Sequence, residues 1–290
     1  MKNILVTGAY GQLGNEIRIF SANYPQYGFI FTDVDTLDIC DLEAIEKIVS
    51  SNNVAYIINC AAYTAVDKAE DNEDLCRKLN ADAPENLGKA ANKYKAGIIH
   101  VSTDYVFDGS SNIPYTEDMK TCPASVYGKT KREGEEKLMA VCQKSFVIRT
   151  AWLYSEFGNN FVKTMIKLGK ERETLSVVFD QIGTPTYAAD LAKAILQIMD
   201  YAIKNENDNK YGIYHYTNEG VCSWYDFTLK IHELSNITSC KVSTIESKDY
   251  PAKAPRPYYS VLNKSKIKQT FGIAIPHWED GLKRCLKGLI

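Results

Sequence analysis

Tyr127 and Lys131 stand four residues apart, a spacing at which a phenol and an amine can act together. On a helix this spacing places both side chains on one face, about one turn apart. An ammonium group beside a phenol stabilises the tyrosinate and lowers the tyrosine pKa from its reference value of ~10 toward the working pH. Because chance alone supplies roughly two such pairs in a chain of this composition, the surroundings of the pair decide its meaning.

Residues 98–103 supply those surroundings, since they read as a strand that ends in two hydroxyl residues, Ser102 and Thr103. The carboxyl ends of parallel strands meet at one crevice, where the Thr103 hydroxyl can bond a carbonyl oxygen beside Tyr127. A hydroxyl, a phenol and an amine are the groups that carbonyl reduction by a nicotinamide cofactor requires of a protein. The alternative, a Tyr–Lys pair on an exposed helix face, explains less.

A glycine-rich turn near the start of the chain predicts the cofactor site. A strand over residues 3–6 is followed by a G-x-x-G-x-x-G turn, formed by Gly8, Gly11 and Gly14, and by a helix over 12–20. Glycine allows the tight turn and lets backbone N–H groups approach a pyrophosphate at the helix N-terminus. The spacing favours the short-chain dehydrogenase group over the lactate-type enzymes.

Asp33 follows at the end of the next strand, 19 residues beyond Gly14. A carboxylate at that distance accepts hydrogen bonds from the adenosine ribose, so the turn and the acid together predict dinucleotide binding. Asp33 favours NAD, and neither the glycine turn nor the residue directly after Asp33 offers a cation for a 2′-phosphate. The choice between NADH and NADPH stays open at this point.

The first half of the chain alternates short apolar runs with amphipathic segments. The runs that read as strands are residues 4–6, 29–31, 56–58, 97–101 and 146–148. Apolar residues recur at helical spacing at 42–49, 83–94, 161–168 and 188–201. Continuous apolar strands that alternate with helices predict an α/β fold, a Rossmann-type doubly wound parallel sheet covered on both faces.

The alternation loosens after Arg149, where aromatic, Gly, Asn and Pro residues interrupt the pattern. We therefore expect an NAD(P)-binding Rossmann domain over residues 1–150, completed by part of 176–215. Residues 151–290 are expected to form mainly a smaller, irregular C-terminal domain that binds the substrate and closes over a cleft. The polar run 204–210 reads as a surface loop.

Composition narrows the class of protein. The chain has 290 residues and a net charge of −2, so it offers no excess of cations for a nucleic-acid backbone. Its eight cysteines lack zinc-type spacing and suit a reducing cytosol, and its four histidines form no ligand-spaced cluster. The sequence shows no secretory pattern and no apolar stretch of the ~20 residues that span a membrane. We expect a cytoplasmic protein without nucleic-acid or membrane partners.

Longer motifs over nearly the whole chain resemble the extended short-chain dehydrogenase/reductases, and among them the branch that acts on dTDP-linked keto sugars. In the first half the resemblance rests on VTGAYGQLG (6–14), NCAAYTAVDKAE (59–70), STDYVFDG (102–109) and YGKTK (127–131). In the second half it rests on RTAWLY (149–154), GNNF (158–161), DQIGTPT (180–186) and RPYYSVLN (256–263). Taken jointly, these segments are far more specific than any single motif.

The resemblance implies NADPH- or NADH-dependent reduction of the C4 ketone of a dTDP-linked 4-dehydro-6-deoxy sugar, giving dTDP-L-rhamnose. It makes Tyr127 the proton donor to the C4 oxygen, Lys131 the residue that tunes it and holds the nicotinamide ribose, and Thr103 a further partner of that oxygen. The other cofactor-binding residues that it implies are Gly8, Gly11, Gln12, Leu13, Gly14, Asp33, Asp38, Ile39, Ala61, Ala62, Tyr63 and Thr64.

Substrate contacts are implied for Thr103, Asp104 and Trp152. Asn80 matches a family asparagine near the active-site lysine, with an exposed helix position as the alternative. Because a dTDP sugar carries a diphosphate, a cation should meet it, and Arg256 is the best candidate since guanidinium binds phosphate oxygens bidentately. The alternative for Arg256 is an exposed arginine in a proline-rich loop.

Some family members dimerise around a magnesium ion held by acidic side chains, and Glu16, Asp190 and Glu279 fall at comparable positions. Three acids far apart in sequence are more often solvated surface groups, so the sequence assigns no metal ligand. We expect a monomer or a homodimer.

Two other functions stay open. One is a reductase or epimerase on the same scaffold that acts on another nucleotide sugar, such as a GDP sugar. The other is a binding protein similar to the regulatory subunit of methionine adenosyltransferase, which resembles this family without serving as a reductase. The presence of Thr103, Tyr127, Lys131 and Trp152 favours catalysis.

Overall fold

Six parallel strands form the central sheet of the computed structural model, which describes residues 1–289. From one edge to the other they are β2 (Tyr27–Thr32), β1 (Lys2–Thr7), β3 (Val54–Asn59), β4 (Gly97–Thr103), β5 (Ser145–Thr150) and β10 (Gly212–His215). The five predicted strands are confirmed, as is the Rossmann-type α/β fold. Because the strand order reverses at β1, a crevice opens at the carboxyl ends of β1 and β3.

Both faces of this sheet are buried under helices, which explains why its inner strands are continuously apolar. Ile4 and Val6 face one side with α1 (Gln12–Phe20) and α8 (Ala188–Lys204), whereas Leu5 faces the other side. The helices on that other side are α2 (Leu42–Ser51), α5 (Ala83–Lys93) and α6 (Val126–Val141). All the predicted helices are confirmed within a few residues at their ends.

Two elements from beyond residue 150 belong to the central sheet and its covering helices. Helix α8 packs against α1, and β10 pairs in parallel with β5, from Gly212 opposite Phe146 to His215 opposite Arg149. The segment 205–210 between them is an irregular loop, as its polar composition predicts.

The remaining elements are shorter, and most of those beyond residue 150 build a further hydrophobic cluster with its own aromatic side chains. The helices are α3 (Val66–Ala69), α4 (Glu73–Arg77), α7 (Phe161–Glu171), α9 (Trp224–Leu234), α10 (Ser265–Phe271) and α11 (Trp278–Lys287). The strands are β6 (Leu153–Tyr154), β7 (Thr174–Val178), β8 (Ile182–Gly183), β9 (Thr186–Tyr187), β11 (Cys222–Ser223) and β12 (Lys241–Ile245). They pair as β6 with β9, β7 with β12 and β8 with β11.

Side-chain caps fix where several of these helices begin. Asp41 accepts hydrogen bonds from the N–H groups of Glu43 and Ala44 at the start of α2. Ser125 accepts from the N–H of Gly128 at the start of α6 and so sets the position of the helix that carries Tyr127. Between residues 1 and 289, no helix is both long enough and apolar enough to cross a membrane. All eight cysteines are free thiols.

Candidate active site

A cleft of about 990 Å³ opens at the carboxyl ends of the central strands. It brings together residues that the sequence predicts from distant segments. Those that line it are Gly8, Gly11, Gln12, Leu13, Gly14, Asp33, Asp38, Ile39, Ala61, Ala62, Thr64, Thr103, Asp104, Tyr127, Lys131 and Trp152. Tyr63 and Arg256 are predicted site residues that do not line the cleft.

The glycine turn is packed so tightly that side chains are excluded at two of its three glycines. Gly8 adopts a φ of +65°, and a Cβ there would lie 2.7 Å from the backbone nitrogen of Ala61. A Cβ on Gly14 would lie 2.3 Å from the carbonyl oxygen of Gly8. The turn leads into α1, whose N-cap residue is Gly11. Among the described residues, no side chain caps the N-terminus of this helix. Its first N–H groups are therefore oriented for an anion.

We expect Gly14→Ala to lower the free energy of unfolding by about 1–3 kcal/mol, because the added methyl group meets backbone that cannot yield. Chemical denaturation measures this change. Gly11→Ala is the matched control, since its Cβ would meet the Gly8 oxygen at an ordinary 3.4 Å. The free energy of unfolding of this control should fall by about 1 kcal/mol or less. Equal stability of the two variants would contradict the packing described for the turn.

Two acidic residues that line the cleft, Asp33 and Asp38, are held by backbone N–H groups. Asp33 accepts hydrogen bonds from the N–H of Tyr10 at 3.0 Å and from the N–H of Val34 at 2.9 Å. Asp38 accepts from the N–H of Cys40 at 2.8 Å. Asp33 thus ties the end of β2 to the glycine turn and is fixed beside the cleft.

Asn80 holds the segment that contains Tyr63. Its side chain accepts from the Tyr63 N–H at 2.8 Å and donates to the Tyr63 carbonyl at 3.0 Å. Asn80 is fully buried in a π-helical turn, Lys78–Asp82, so the exposed helix position considered for it is wrong. The backbone of Tyr63 is thus held by Asn80, and Tyr63 does not line the cleft.

Thr103 and Tyr127 meet in the middle of the cleft. The Tyr127 phenol lies beside Thr103, and burial raises the tyrosine pKa well above its ordinary value, whereas the Thr103 side chain opposes that shift. The Thr103 hydroxyl donates to the carboxylate of Asp104 at 2.9 Å and accepts from the N–H of Tyr105 at 3.2 Å. The structure therefore differs from the expected lowering of the tyrosine pKa, because burial of the phenol dominates.

Lys131 lies one turn further along α6 and is buried. Its ammonium nitrogen Nζ donates to the carbonyl oxygen of Val101 at 2.6 Å. Burial lowers the pKa of Lys131 to about 8, and the nearby carboxylate of Glu135 opposes this shift. An amine with such a pKa exchanges its proton near neutral pH, which suits a group that serves acid–base chemistry.

Asp104 is a buried carboxylate beside these groups. One of its oxygens accepts from Thr103, and the other, Oδ2, has no hydrogen-bond partner among the described residues. Burial raises the pKa of Asp104 to about 6, and the hydrogen bond from Thr103 opposes this shift. A buried polar oxygen left without a partner is oriented to receive a donor from a ligand.

Trp152 also lines the cleft and has a strained backbone conformation, with a φ of +50°. Its ring stacks on Trp224, with ring centroids 3.5 Å apart and planes 10° from parallel. Trp224 in turn donates from its indole nitrogen to Gln181 at 3.2 Å. Sequence reasoning missed Trp224, because stacking between segments 72 residues apart leaves no spacing signal.

Other residues of the cleft were also missed. Tyr105 lines it, and its ring meets that of Tyr127 edge to face at 5.5 Å. Asn160 lines it too, donates to the side chain of Gln12 at 3.0 Å and caps α7. Both residues lie inside segments on which the family resemblance rests, 102–109 and 158–161. The sequence thus identified the segments but not the place of these two residues in the cleft.

Arg256 lies in a bidentate ion pair with Asp67, with N–O distances of 2.9 and 2.7 Å. The carboxylate of Asp67 also accepts from the N–H groups of Lys253 and Ala254. The Arg256 bond is the main cause of the lowered pKa of Asp67, about 2. Arg256 is therefore anchored to α3, outside the cleft lining, and is not an unpaired surface arginine.

The three acids compared with a magnesium site do not come together. Glu16 accepts from Ser155 at 3.0 Å, Asp190 is paired with Arg284, and Glu279 lies 3.6 Å from Lys230. Within residues 1–289, no group of three or more His, Cys, Asp or Glu side chains is arranged to hold a metal ion. Within one chain these acids therefore form no magnesium site, and each has another partner.

Comparisons with known proteins agree over the full length. A family model described as RmlD substrate binding domain matches residues 1–290. A dTDP-4-dehydrorhamnose reductase of Aggregatibacter actinomycetemcomitans is 42% identical over 290 residues, covering 98% of each chain. The crystal structure of a dTDP-4-dehydrorhamnose reductase of Clostridium acetobutylicum is 44% identical, with a TM-score of 0.93 and 99% of each chain covered. That of Bacillus anthracis, in complex with NADP, is 38% identical with the same TM-score and coverage.

Proposed function

The chain belongs to the family of the RmlD substrate binding domain, and we propose that it reduces the C4 ketone of dTDP-4-dehydrorhamnose to give dTDP-L-rhamnose, with NADPH or NADH as reductant. The observation that carries this proposal is the convergence of Thr103, Tyr127 and Lys131 on the cleft that also contains the glycine turn. Relatives named dTDP-4-dehydrorhamnose reductase support the substrate, and the relative in complex with NADP supports the cofactor.

The glycine turn fits a dinucleotide, because it brings the uncapped N-terminus of α1 to the cleft at positions where a Cβ has no room. We assign the pyrophosphate to the turn and the first residues of α1, and the ribose to Asp33. Asp38 and Ile39 are assigned to the adenine, and Ala61, Ala62 and Thr64 to the nicotinamide half. When bound, the nicotinamide supplies the hydride that reduces the sugar C4 carbon.

We assign Tyr127 as the proton donor to the C4 oxygen. Its raised pKa keeps the phenol protonated at neutral pH, so it is suited to give a proton to an oxygen that gains negative charge. Thr103 contacts this phenol and is fixed by its bonds to Asp104 and Tyr105. Because burial lowers the pKa of Lys131 to about 8, its ammonium group is suited to return a proton to the tyrosinate afterwards.

Asp104 and Trp152 are assigned to the sugar, because an unpartnered carboxylate oxygen and an indole face the same cleft. We assign Arg256 to the diphosphate. Since Arg256 is paired with Asp67, this assignment requires the guanidinium to exchange a carboxylate for phosphate oxygens, which it binds with the same bidentate geometry.

We expect Arg256→Ala to raise the KM for the dTDP sugar about tenfold or more and to change kcat little, because a charge-assisted bond made outside the reacting atoms is lost. Steady-state kinetics with saturating cofactor measure this. Lys248→Ala is the control, since Lys248 is an exposed cation eight residues earlier in the chain that pairs with Glu246, and the KM of this variant should not change.

Asp67→Asn separates this role from a merely structural one. If Arg256 only anchors its loop to α3, Asp67→Asn should weaken substrate binding as Arg256→Ala does. If Arg256 binds the diphosphate, removing the competing carboxylate should leave the KM unchanged or lower it. An unchanged KM in Arg256→Ala would refute the assignment.

The activity itself is tested by following oxidation of NADPH and of NADH with purified protein and dTDP-4-dehydrorhamnose. We expect turnover with the dTDP sugar and much less with GDP- and UDP-linked keto sugars. A preference for another nucleotide would identify the alternative reductase or epimerase. Absence of turnover with every keto sugar, together with co-purification of a methionine adenosyltransferase, would favour the regulatory protein.

A further inference from the structure

His100 lies in the middle of β4, directly beneath the cleft, and is fully buried. Nothing assigned so far uses it. One ring nitrogen, Nδ1, lies 2.9 Å from the side-chain nitrogen of Asn59, and the other, Nε2, lies 3.2 Å from Nζ of Lys131. Because His100 contacts both Nζ of Lys131 and Asn59 at the end of β3, it is a candidate to influence the protonation of Lys131.

The partners of Asn59 decide which nitrogen of His100 carries the hydrogen. The Asn59 oxygen accepts from the N–H of Ala61 at 3.1 Å and from the Thr7 hydroxyl at 2.7 Å. A backbone N–H can only donate, so the amide oxygen must face Ala61 and the amide nitrogen must face His100. An amide nitrogen also only donates, so Nδ1 accepts. The neutral ring then carries its hydrogen on Nε2.

This tautomer points an N–H donor at Nζ of Lys131. An ammonium group has only donors, whereas a neutral amine has a lone pair that can accept from Nε2–H and still donate to the Val101 carbonyl. The other titratable groups that act on Lys131 are Cys76 from α4 and Glu135 on α6. Both favour the ammonium form, whereas burial acts against it.

Resting on the function proposed above, we propose that His100 is a positioning residue that stabilises the uncharged form of Lys131 and so makes Lys131 a ready proton donor to the Tyr127 tyrosinate. In that step the N–H bond of the ammonium breaks and the O–H bond of the phenol forms. The neutral amine that remains accepts the hydrogen bond from Nε2–H of His100. Lys131 then regains a proton from solvent.

The pH profile of kcat/KM tests this role. Activity of the wild-type protein should fall as Lys131 loses its proton, near its pKa of about 8. His100→Leu removes the N–H that favours the neutral amine, so this fall should move upward by about one pH unit. His100→Gln keeps an N–H donor at the place of Nε2 and should restore the wild-type profile.

His215→Leu is the matched control, because His215 is an equally buried histidine, in β10, that does not contact Lys131 among its described bonds. Its profile should match the wild type. An unchanged profile in His100→Leu, or an equal shift in His215→Leu, would overturn the proposal. Melting temperatures of all variants show whether a shift reflects misfolding.

Nitrogen-15 NMR of labelled histidines tests the geometry without any measurement of activity. We expect the His100 signal, identified by its loss in His100→Gln, to show the Nε2–H tautomer throughout about pH 6 to pH 9. It should shift once as Lys131 titrates, and Lys131→Met should abolish that shift. A tautomer with hydrogen on Nδ1, or imidazolium in this range, would overturn the proposal. If the protein reduces no keto sugar, this NMR result still stands or falls by itself.

Discussion

Tyr127→Phe should lower kcat by about a hundredfold or more while cofactor binding persists. The substitution removes the proposed proton donor and keeps the ring, which packs edge to face against Tyr105. Because the lost interaction acts on the reacting oxygen, kcat and kcat/KM should fall together. Steady-state kinetics and titration of cofactor fluorescence measure the two expectations separately.

Tyr105→Phe is the comparison that makes this result specific. Tyr105 is a second phenol in the same cleft, and its ring centroid lies 5.5 Å from that of Tyr127. We expect this variant to lose at most about tenfold in kcat, because the phenol of Tyr127, and not that of Tyr105, lies beside Thr103. A larger loss in Tyr105→Phe than in Tyr127→Phe would move the proton donor to Tyr105.

Glu135→Gln should lower the free energy of unfolding by about 3–5 kcal/mol, because it leaves a buried guanidinium without its counter-charge. Arg149 donates to the two oxygens of Glu135 at 2.9 and 2.7 Å, and Ser102 donates to one of them at 2.6 Å. Both ionic side chains are at most 2% exposed. The cluster ties α6 to β4 and β5, so its loss should also loosen the helix that carries Tyr127 and Lys131.

Glu136→Gln is the matched control for this effect. Glu136 is the next residue on α6, and its side chain is 60% exposed while it pairs with Arg132 at 2.7 Å. Exposed ion pairs contribute about 1 kcal/mol or less, so the control should be nearly as stable as the wild type. Urea denaturation of both variants decides the matter, and a similar small change in both would contradict the importance given to the buried pair.

The sheet and its cofactor turn were predictable because their signals are local. Apolar runs marked β1 to β5, and the glycine spacing marked the turn, since each depends on neighbouring residues in the chain. The α/β fold follows from such signals alone. Helix α6 was likewise predictable around Tyr127, because the spacing to Lys131 has a meaning only on a helix.

The interactions that tune the site were not predictable in the same way. The contact between His100 and Lys131 depends on how α6 crosses β4, and the Trp152–Trp224 stack depends on packing between separate elements. The pairing of Arg256 with Asp67 joins segments 189 residues apart. The rise in the pKa of Tyr127 was not predicted either, because burial of its phenol depends on the folded surroundings rather than on the spacing to Lys131.

The most direct test of the proposed reaction is to follow a label from the cofactor into the product. Purified protein would be given dTDP-4-dehydrorhamnose and a nicotinamide cofactor deuterated at the transferable position of its C4 carbon, and the sugar would be analysed by NMR. We predict dTDP-L-rhamnose with deuterium at C4 for the wild type, and almost none formed in the same time by Tyr127→Phe. Product without deuterium at C4, or no product from a folded protein that binds the cofactor, would contradict the function proposed for this cleft.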